Sequence, residues 1–305
     1  MLTFLARRAV VALLVCLTVL TFSFALTRLG GDLAISIAGP NATAADIETI
    51  RRAYGLDRPM IEQFLSWAGR AAVGDFGQSY FFRERVSKLI ADRLPITLTL
   101  GLVGLTIALV VALPLGVISA LNEGRPADRA ISVVALFGQA MPSFWLGLLL
   151  MIGLGLHLGW LPISGTGTWQ HFVMPGIVLA FSAIPALMRL TRSGMIDALG
   201  SDYIRTARAK GLSRASIVLK HAARNAAMPV VSIAAVQLGF MLGGSIVIET
   251  VFALHGVGFL AWESISKNDF PTVQAVVLLL AFIYTALTLG SDMLNALLDP
   301  RLRAS

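Results

Sequence analysis

The sequence predicts an all-α membrane protein with six transmembrane helices. Three observations carry that expectation. Of 305 residues, 56% are apolar and only 13% are charged, about half the share of charged residues in a typical soluble protein. The mean hydropathy is +0.79. The charged residues are gathered between long uncharged stretches, and a helix needs about 20 mostly apolar residues to cross a roughly 30 Å hydrocarbon core. The same figures exclude intrinsic disorder, which combines low hydrophobicity with high charge. A single cysteine, Cys16, excludes a disulfide scaffold.

The spans follow in chain order. No Asp, Glu, Lys or Arg occurs between Arg8 and Arg28, Arg93 and Glu123, Arg129 and Arg189, Arg224 and Glu249, or Asp269 and Asp292. The third interval is long enough for two crossings. Its middle, Gly159-Trp160-Leu161-Pro162-Ile163-Ser164-Gly165-Thr166-Gly167, reads as a turn at the membrane surface. The predicted spans are about 9–28, 95–121, 131–158, 172–194, 228–250 and 271–297. A cleaved signal peptide behind Arg7-Arg8 is the alternative for the first. The length of the run and the lack of a small-x-small cleavage site disfavour it.

Basic residues in short loops set orientation. Fourteen of the 24 Lys and Arg residues fall on the side of the N-terminus, against five acids, while the two short loops on the other side hold only Lys267. Both termini are therefore predicted to be cytoplasmic. The net charge of +7 is mostly topological, and no recognition motif accompanies it, so nucleic-acid binding is set aside.

Two segments outside the membrane are long enough to have a role. In the outer one, Thr43-Ala44-Ala45-Asp46 resembles a capping box that opens a helix through Tyr54, stopped by Gly55. A second helix is predicted from Pro59 through Ala72, with Ile61, Phe64, Leu65 and Ala68 at helical spacing. Gly74-Asp75-Phe76-Gly77 then breaks the chain; without a Gly-rich or catalytic loop it reads as a turn. The segment is either an amphipathic cap on the bilayer or a docking surface for an outside partner. In the inner segment, about 195–227, Ser201 is placed to cap a helix from Asp202 to Lys210. Gly211 closes it with Leu212 as the apolar follower, and Ser213 opens a second helix through Arg224. Ala207 and Gly211 form a small-residue face for close approach of another backbone. The alternative is a basic helix resting on anionic lipid headgroups, and pattern alone leaves both open.

Here the residues carry a resemblance. Arg205-Thr206-Ala207, Gly211 and Asn225-Ala226-Ala227-Met228-Pro229 resemble the cytoplasmic "EAA…G" loop of ABC importer permeases. Only the final Ala and the Gly of the general pattern are kept. The variant is similar to the dipeptide/oligopeptide/nickel branch, B-type subunit. Gly74-Asp75-Phe76-Gly77-Gln78-Ser79, Arg93-Leu94-Pro95 with Thr97-Leu98, Pro142-Ser143-Phe144-Trp145-Leu146-Gly147, Gly159-Trp160-Leu161-Pro162, Glu249-Thr250-Val251-Phe252 and Leu298-Asp299-Pro300-Arg301 agree with it in order, over nearly the whole chain.

The resemblance implies a type I ABC importer permease fold in a bacterial inner membrane, working by alternating access. Its parts would be an N-terminal transmembrane helix (1–29), a periplasmic helical segment (30–94), a five-helix permease domain (95–298) and a cytoplasmic tail (299–305). It implies that Asp202, Tyr203, Arg205, Thr206, Ala207, Arg208, Lys210, Gly211 and Leu212 form a coupling helix seated on a cytoplasmic ATPase. The implied partners are a second permease, two ATPase subunits, a periplasmic substrate-binding protein and membrane lipid. The implied cargo is peptides, with nickel chelates, glutathione, opines or oligosaccharides as alternatives. This chain is expected to bind no cofactor, with ATP and Mg belonging to the partner ATPase.

Lys210-Gly211 reverses the Gly-Lys order of a Walker A loop, so ATP hydrolysis needs a separate subunit. Neither H-E-x-x-H nor G-x-S-x-G occurs, which leaves a membrane enzyme without a catalytic constellation. A secondary transporter would show inverted repeats and interrupted helices, which are not evident; a scaffold that only docks through the inner loop is the third competitor. Polar groups within spans are functional candidates. Glu249, Asp292 and Gln237 are therefore candidates for the pathway or gate, with structural hydrogen bonding as the ordinary alternative. His157, His171, His221 and His255 lack metal-ligand spacing. Gly239-x-x-x-Gly243 and Gly155-x-x-x-Gly159 permit close helix packing, and Pro114, Pro142, Pro175 and Pro185 are positioned to kink spans.

Overall fold

A computed structural model describes residues 2–29, 32–39 and 41–298. Residues 299–305, with the tail and the Asp299-Pro300-Arg301 part of the last motif, lie outside the described residues. The described chain is helical, with one isolated antiparallel pairing, Gln78 to Arg85. Its elements are α1 (Leu2–Leu29), α2 (Leu33–Ala38), α3 (Ala44–Ala53), α4 (Met60–Ala72), α5 (Val86–Leu121), α6 (Pro126–Ala140) and α7 (Ser143–Leu150). There follow α8 (Val173–Gly200), α9 (Asp202–Ala209), α10 (Arg214–Ser216), α11 (Ala223–Val251), α12 (Val257–Ser266) and α13 (Phe270–Leu298). Five helices are long and apolar enough to cross a membrane, and the bent pair α6–α7 with its π-type extension makes six if it counts as one span.

That pair departs from the continuous span predicted over 131–158. The axis bends by 99° between α6 and α7. Met141, ahead of Pro142, has φ −78° and ψ 126°, because a proline ring pushes the preceding residue out of the helical region. After α7, the wide π-type turns Met151–His157 end the arm. Two other boundaries also differ. α5 starts at Val86 rather than at Pro95, and Val86, Leu89 and Ile90 are buried on one face; the charges of Lys88, Asp92 and Arg93 hid that amphipathic first stretch. The segment from Arg214 to Val251 is helical throughout, with π-type turns at Ile217–Ala222 joining α10 to α11 and Pro229 accommodated inside.

The chain forms two compact units. One contains residues 1–95 and 255–285. In it Thr43 and Asp46 form the expected capping box at α3, and Tyr54 ends that helix ahead of Gly55 at φ +64°. Pro59 precedes α4. Phe24 of α1 meets Phe64 and Trp67 of α4 at ring-centroid distances of 5.4 and 5.8 Å. Gln274 of α13 donates to Thr27 Oγ1 of α1 at 2.7 Å. Asp269, fully buried, accepts from the Tyr80 backbone N–H at 3.0 Å, from Thr272 Oγ1 at 2.7 Å and from Ser79 Oγ. It thereby ties the Gly77–Arg85 turn to the start of α13.

The other unit contains, of the described residues, 96–254 and 286–298. Its core is apolar, with Leu100, Met174, Leu187, Met188, Met241 and Phe252 buried. Lipid supplies little hydrophobic drive between helices, so small residues that let backbones approach set the packing. A Cβ built on Gly116 of α5 would stand 2.6 Å from Thr191 Cβ and 2.8 Å from the Met188 carbonyl oxygen of α8. On Gly194 of α8 it would stand 3.2 Å from Ala226 Cα of α11. Gly155 lies against Ile163, whereas a Cβ on Gly243 meets nothing.

Gly116→Ala is therefore expected to overpack the α5–α8 crossing and cost about 1–3 kcal/mol. Gly243→Ala should be neutral in the isolated chain. Thermal unfolding in detergent checks both, and equal midpoints for the two variants would contradict the packing described.

Candidate functional site

The candidate site is built around α9. Its spacing places Ile204 and Ala207 three residues apart, on one face of the helix. That face is covered by the chain itself: Ile204 is fully buried and Ala207 nearly so, in a cluster with Ala120, Met195, Ala198, Ile217 and Ala226. The other predicted loop residues, Asp202, Tyr203, Arg205, Thr206, Arg208, Lys210, Gly211 and Leu212, are exposed. α9 thus has an internal side that holds it to the bases of α5, α8 and α11. Its free side bears cations together with the partly exposed Tyr203 and Leu212.

The ends of α9 are set by local chemistry. Ser201 does not cap it by side chain as predicted; its Oγ donates back to the Ala198 carbonyl at the end of α8. Asp202 instead supplies a negative charge in the first turn, where the helix dipole favours it, and pairs with Arg205. At the far end Gly211 has φ +73°. The Gly211 N–H donates to the Arg208 carbonyl at 3.0 Å and the Leu212 N–H to the Ala207 carbonyl at 3.3 Å, the two bonds of a Schellman closure. Ser213 then accepts from the Ser216 N–H and opens α10 as expected. Asn225 Nδ2, at the base of α11, donates to the Tyr203 hydroxyl at 2.8 Å.

The structure divides the small-residue face at which close approach of another backbone was expected. Ala207 packs inward against the chain's own helices. Gly211 has open space around it and its needed property is the positive φ. Sequence reasoning also missed the arrangement beside the cluster. Asp128 of α6, 5% exposed, accepts from Arg192 Nε and Nη2 of α8, both at 2.8 Å, from the Gly124 N–H at 2.9 Å and from Ser119 Oγ of α5. A bidentate guanidinium plus two further donors satisfies both carboxylate oxygens. An arginine inside a predicted span was the available signal, because such a charge is expected to find a partner.

The candidates for the pathway or gate lie apart from α9 in sequence. Glu249 of α11 is fully buried, and its Oε1 accepts from Thr97 Oγ1 at 2.8 Å and Ser245 Oγ at 2.9 Å. That joins α11 to α5. Gln237 is half-buried on α11, and Asp292 is half-buried on α13, next to Ser291, whose Oγ donates to the Ser232 carbonyl at 3.1 Å. Among the described residues no group of three His, Cys, Asp or Glu side chains is placed to hold a metal ion.

Residues 112–304 match the family described as binding-protein-dependent transport system inner membrane component, and residues 1–101 match the N-terminal region of such membrane components. The chain is 39% identical over 305 residues to the glutathione transport system permease protein GsiC of Escherichia coli strain K12, with 99% of each chain covered. The same identity and coverage hold for GsiC of Shigella flexneri serotype 5b strain 8401. Among solved structures it is similar in fold to an inward-facing MetNI methionine ABC transporter, in its CY5 native crystal form. The TM-score is 0.58 at 19% identity, with 69% of this chain and 96% of that chain covered.

Asp128→Ala should cost about 3 kcal/mol, the low end for breaking a buried ion pair, since the Arg192 side chain keeps 29% exposure. Arg192→Lys should fall short of the native protein as well, because a single ammonium cannot engage both oxygens in parallel. Ala207→Asp should reduce folded yield, since it puts a charge into an apolar cluster. Size-exclusion profiles and unfolding midpoints in detergent check all three; a well-folded Ala207→Asp protein would place that face outside.

Proposed function

The chain belongs to the family of binding-protein-dependent transport system inner membrane components, as a permease subunit of an ABC importer, and from that premise we propose that α9 is its coupling helix. In this reading α9 carries ATP-driven movement of a separate cytoplasmic ATPase to the spans. The observation that carries the reading is the division of α9 into two sides. Ile204 and Ala207 fix the helix to the bases of α5, α8 and α11, while Arg205, Thr206, Arg208, Lys210, Gly211 and Leu212 are exposed. A short rigid rod held on one side and bare on the other suits a groove on a partner. The exposed cations would steer it toward an acidic rim.

Members of this family work with a further permease, an ATPase and a binding protein. For this chain we propose a heterodimer with a second permease, two ATPase subunits that bind ATP and Mg, and a binding protein outside that meets the 30–94 segment. The cargo we propose is a small peptide, with glutathione the first compound to test, on the strength of full-length similarity to glutathione permeases. Glu249 then serves as a structural tie between α5 and α11, its carboxylate taken up by two hydroxyls. Gln237 and Asp292 remain the proposed pathway positions.

The test is reconstitution of the assembled transporter in liposomes, measuring peptide uptake and ATP hydrolysis together. Leu212→Asp and Gly211→Ala both leave the buried face intact. The second strains a left-handed position by about 1–2 kcal/mol. Both are expected to lower peptide uptake per ATP hydrolysed, with membrane insertion unchanged. Uptake at the native ratio in both variants would remove α9 from the coupling role.

A further inference from the structure

The unit formed by residues 1–95 and 255–285 contains a cavity of about 860 Å³, a size suited to a small ligand or a headgroup. Five arginines line it: Arg28, Arg52, Arg58, Arg70 and Arg85. The acids that line it are Glu62 and Asp75, so positive charge dominates. A cavity so lined suits an anionic group, whose oxygens guanidinium forks bind in pairs.

The setting narrows the occupant further. Phe24 and Arg28 lie at one end of the α1 span, and Phe270 and Gln274 at the start of the α13 span, so the cavity opens where a span leaves the hydrocarbon. Trp67 lines it as well, and tryptophan favours the headgroup layer. α4, which supplies Gln63, Trp67 and Arg70, also exposes Met60, Ile61 and Leu65. Such a helix lies along a membrane surface with its apolar residues in the acyl boundary. Burial pushes the Tyr80 phenol up to about 12, which keeps it a neutral hydrogen-bonding group in the cavity wall.

We propose that this cavity holds the headgroup of an acidic phospholipid, its phosphate on Arg28 with Arg58 and Arg70. Arg52 contributes less, since its Nε already donates to Glu48 at 2.9 Å. A phosphatidylglycerol headgroup carries a net negative charge for the arginines that line the cavity, whereas phosphatidylcholine sets its own cation beside the phosphate and has no net charge to offer. The site is independent of the role given to α9.

The test is native mass spectrometry of the assembled, delipidated transporter with added phosphatidylglycerol, phosphatidylcholine or soluble glycerol 1-phosphate. Phosphatidylglycerol should be retained in preference to both. Arg28→Gln, or Arg58→Gln with Arg70→Gln on the exposed rim, should weaken that retention by about tenfold or more, as expected for lost charge-assisted bonds. Retention unchanged in the rim double variant, or equal retention of phosphatidylcholine, overturns the site. Glycerol 1-phosphate bound as tightly as the lipid assigns the cavity to a soluble phosphate ester and overturns the lipid as its occupant.

Discussion

A peptide group inside hydrocarbon has no water to bond, and each unsatisfied one costs several kcal/mol. Most of what this chain does follows from that constraint. It makes the spans helical and forces their hydroxyls to bond locally: Thr106 donates to the Leu102 carbonyl and Thr285 to the Ala281 carbonyl, both four residues back. It also bears on Glu249, whose carboxylate is fully buried and accepts from Thr97 and Ser245. Where the ladder is interrupted, at Met141-Pro142, the chain bends sharply instead of stretching.

The same constraint explains why the cytoplasmic ends look different from the spans. At α9 the backbone can meet water, so a helix of eight residues can end, turn through Gly211 and restart at Ser213. Its position is held by side chains: Ile204 and Ala207 in the cluster, Tyr203 bonded to Asn225. Nearby, the Asp128–Arg192 pair locks α6 to α8 with Ser119 of α5 joined in. The bases of α5, α6, α8 and α11 are thus bound to one another beside the helix proposed to receive the ATPase.

Much of this was legible in the sequence. Uncharged intervals located the spans because burial in lipid removes charge whatever the details of packing. Thr43 and Asp46, Gly55, Pro59, Gly211 and Ser213 marked helix ends because their roles are local, set by φ and by side-chain reach within a few residues. What was hidden depended on distant partners. Asp128 and Arg192 stand 64 residues apart, and only the folded chain brings Asp269 to Ser79. The inward turn of Ala207 was hidden for another reason. Alanine serves equally in a small-residue groove for a partner and in an internal contact, and the choice rests on which face α8 and α11 cover. The α5 start was missed because charged residues on the wet face of an amphipathic turn resemble a loop when only charge is counted.

The magnitudes also bear on how α9 would work. Allosteric coupling between sites is typically worth about 1–3 kcal/mol, and a ligand shifts an equilibrium only by its differential affinity for the two states. Were α9 held to the spans by less than that, ATPase movement would peel it off and leave the spans behind. Full burial of an isoleucine contributes about 1.5–3 kcal/mol, and a hydrogen bond such as Asn225 to Tyr203 about 0.5–1.5 kcal/mol. Ile204 with that bond already matches or exceeds the typical coupling, before Ala207 is counted. The joint between α9 and the spans is then the stiffer one. The contacts free to differ between states are those of the exposed residues Arg205, Thr206, Arg208, Lys210, Gly211 and Leu212. This is why strain at Gly211, which leaves the buried face alone, separates coupling from folding, whereas a charge at Ala207 does not.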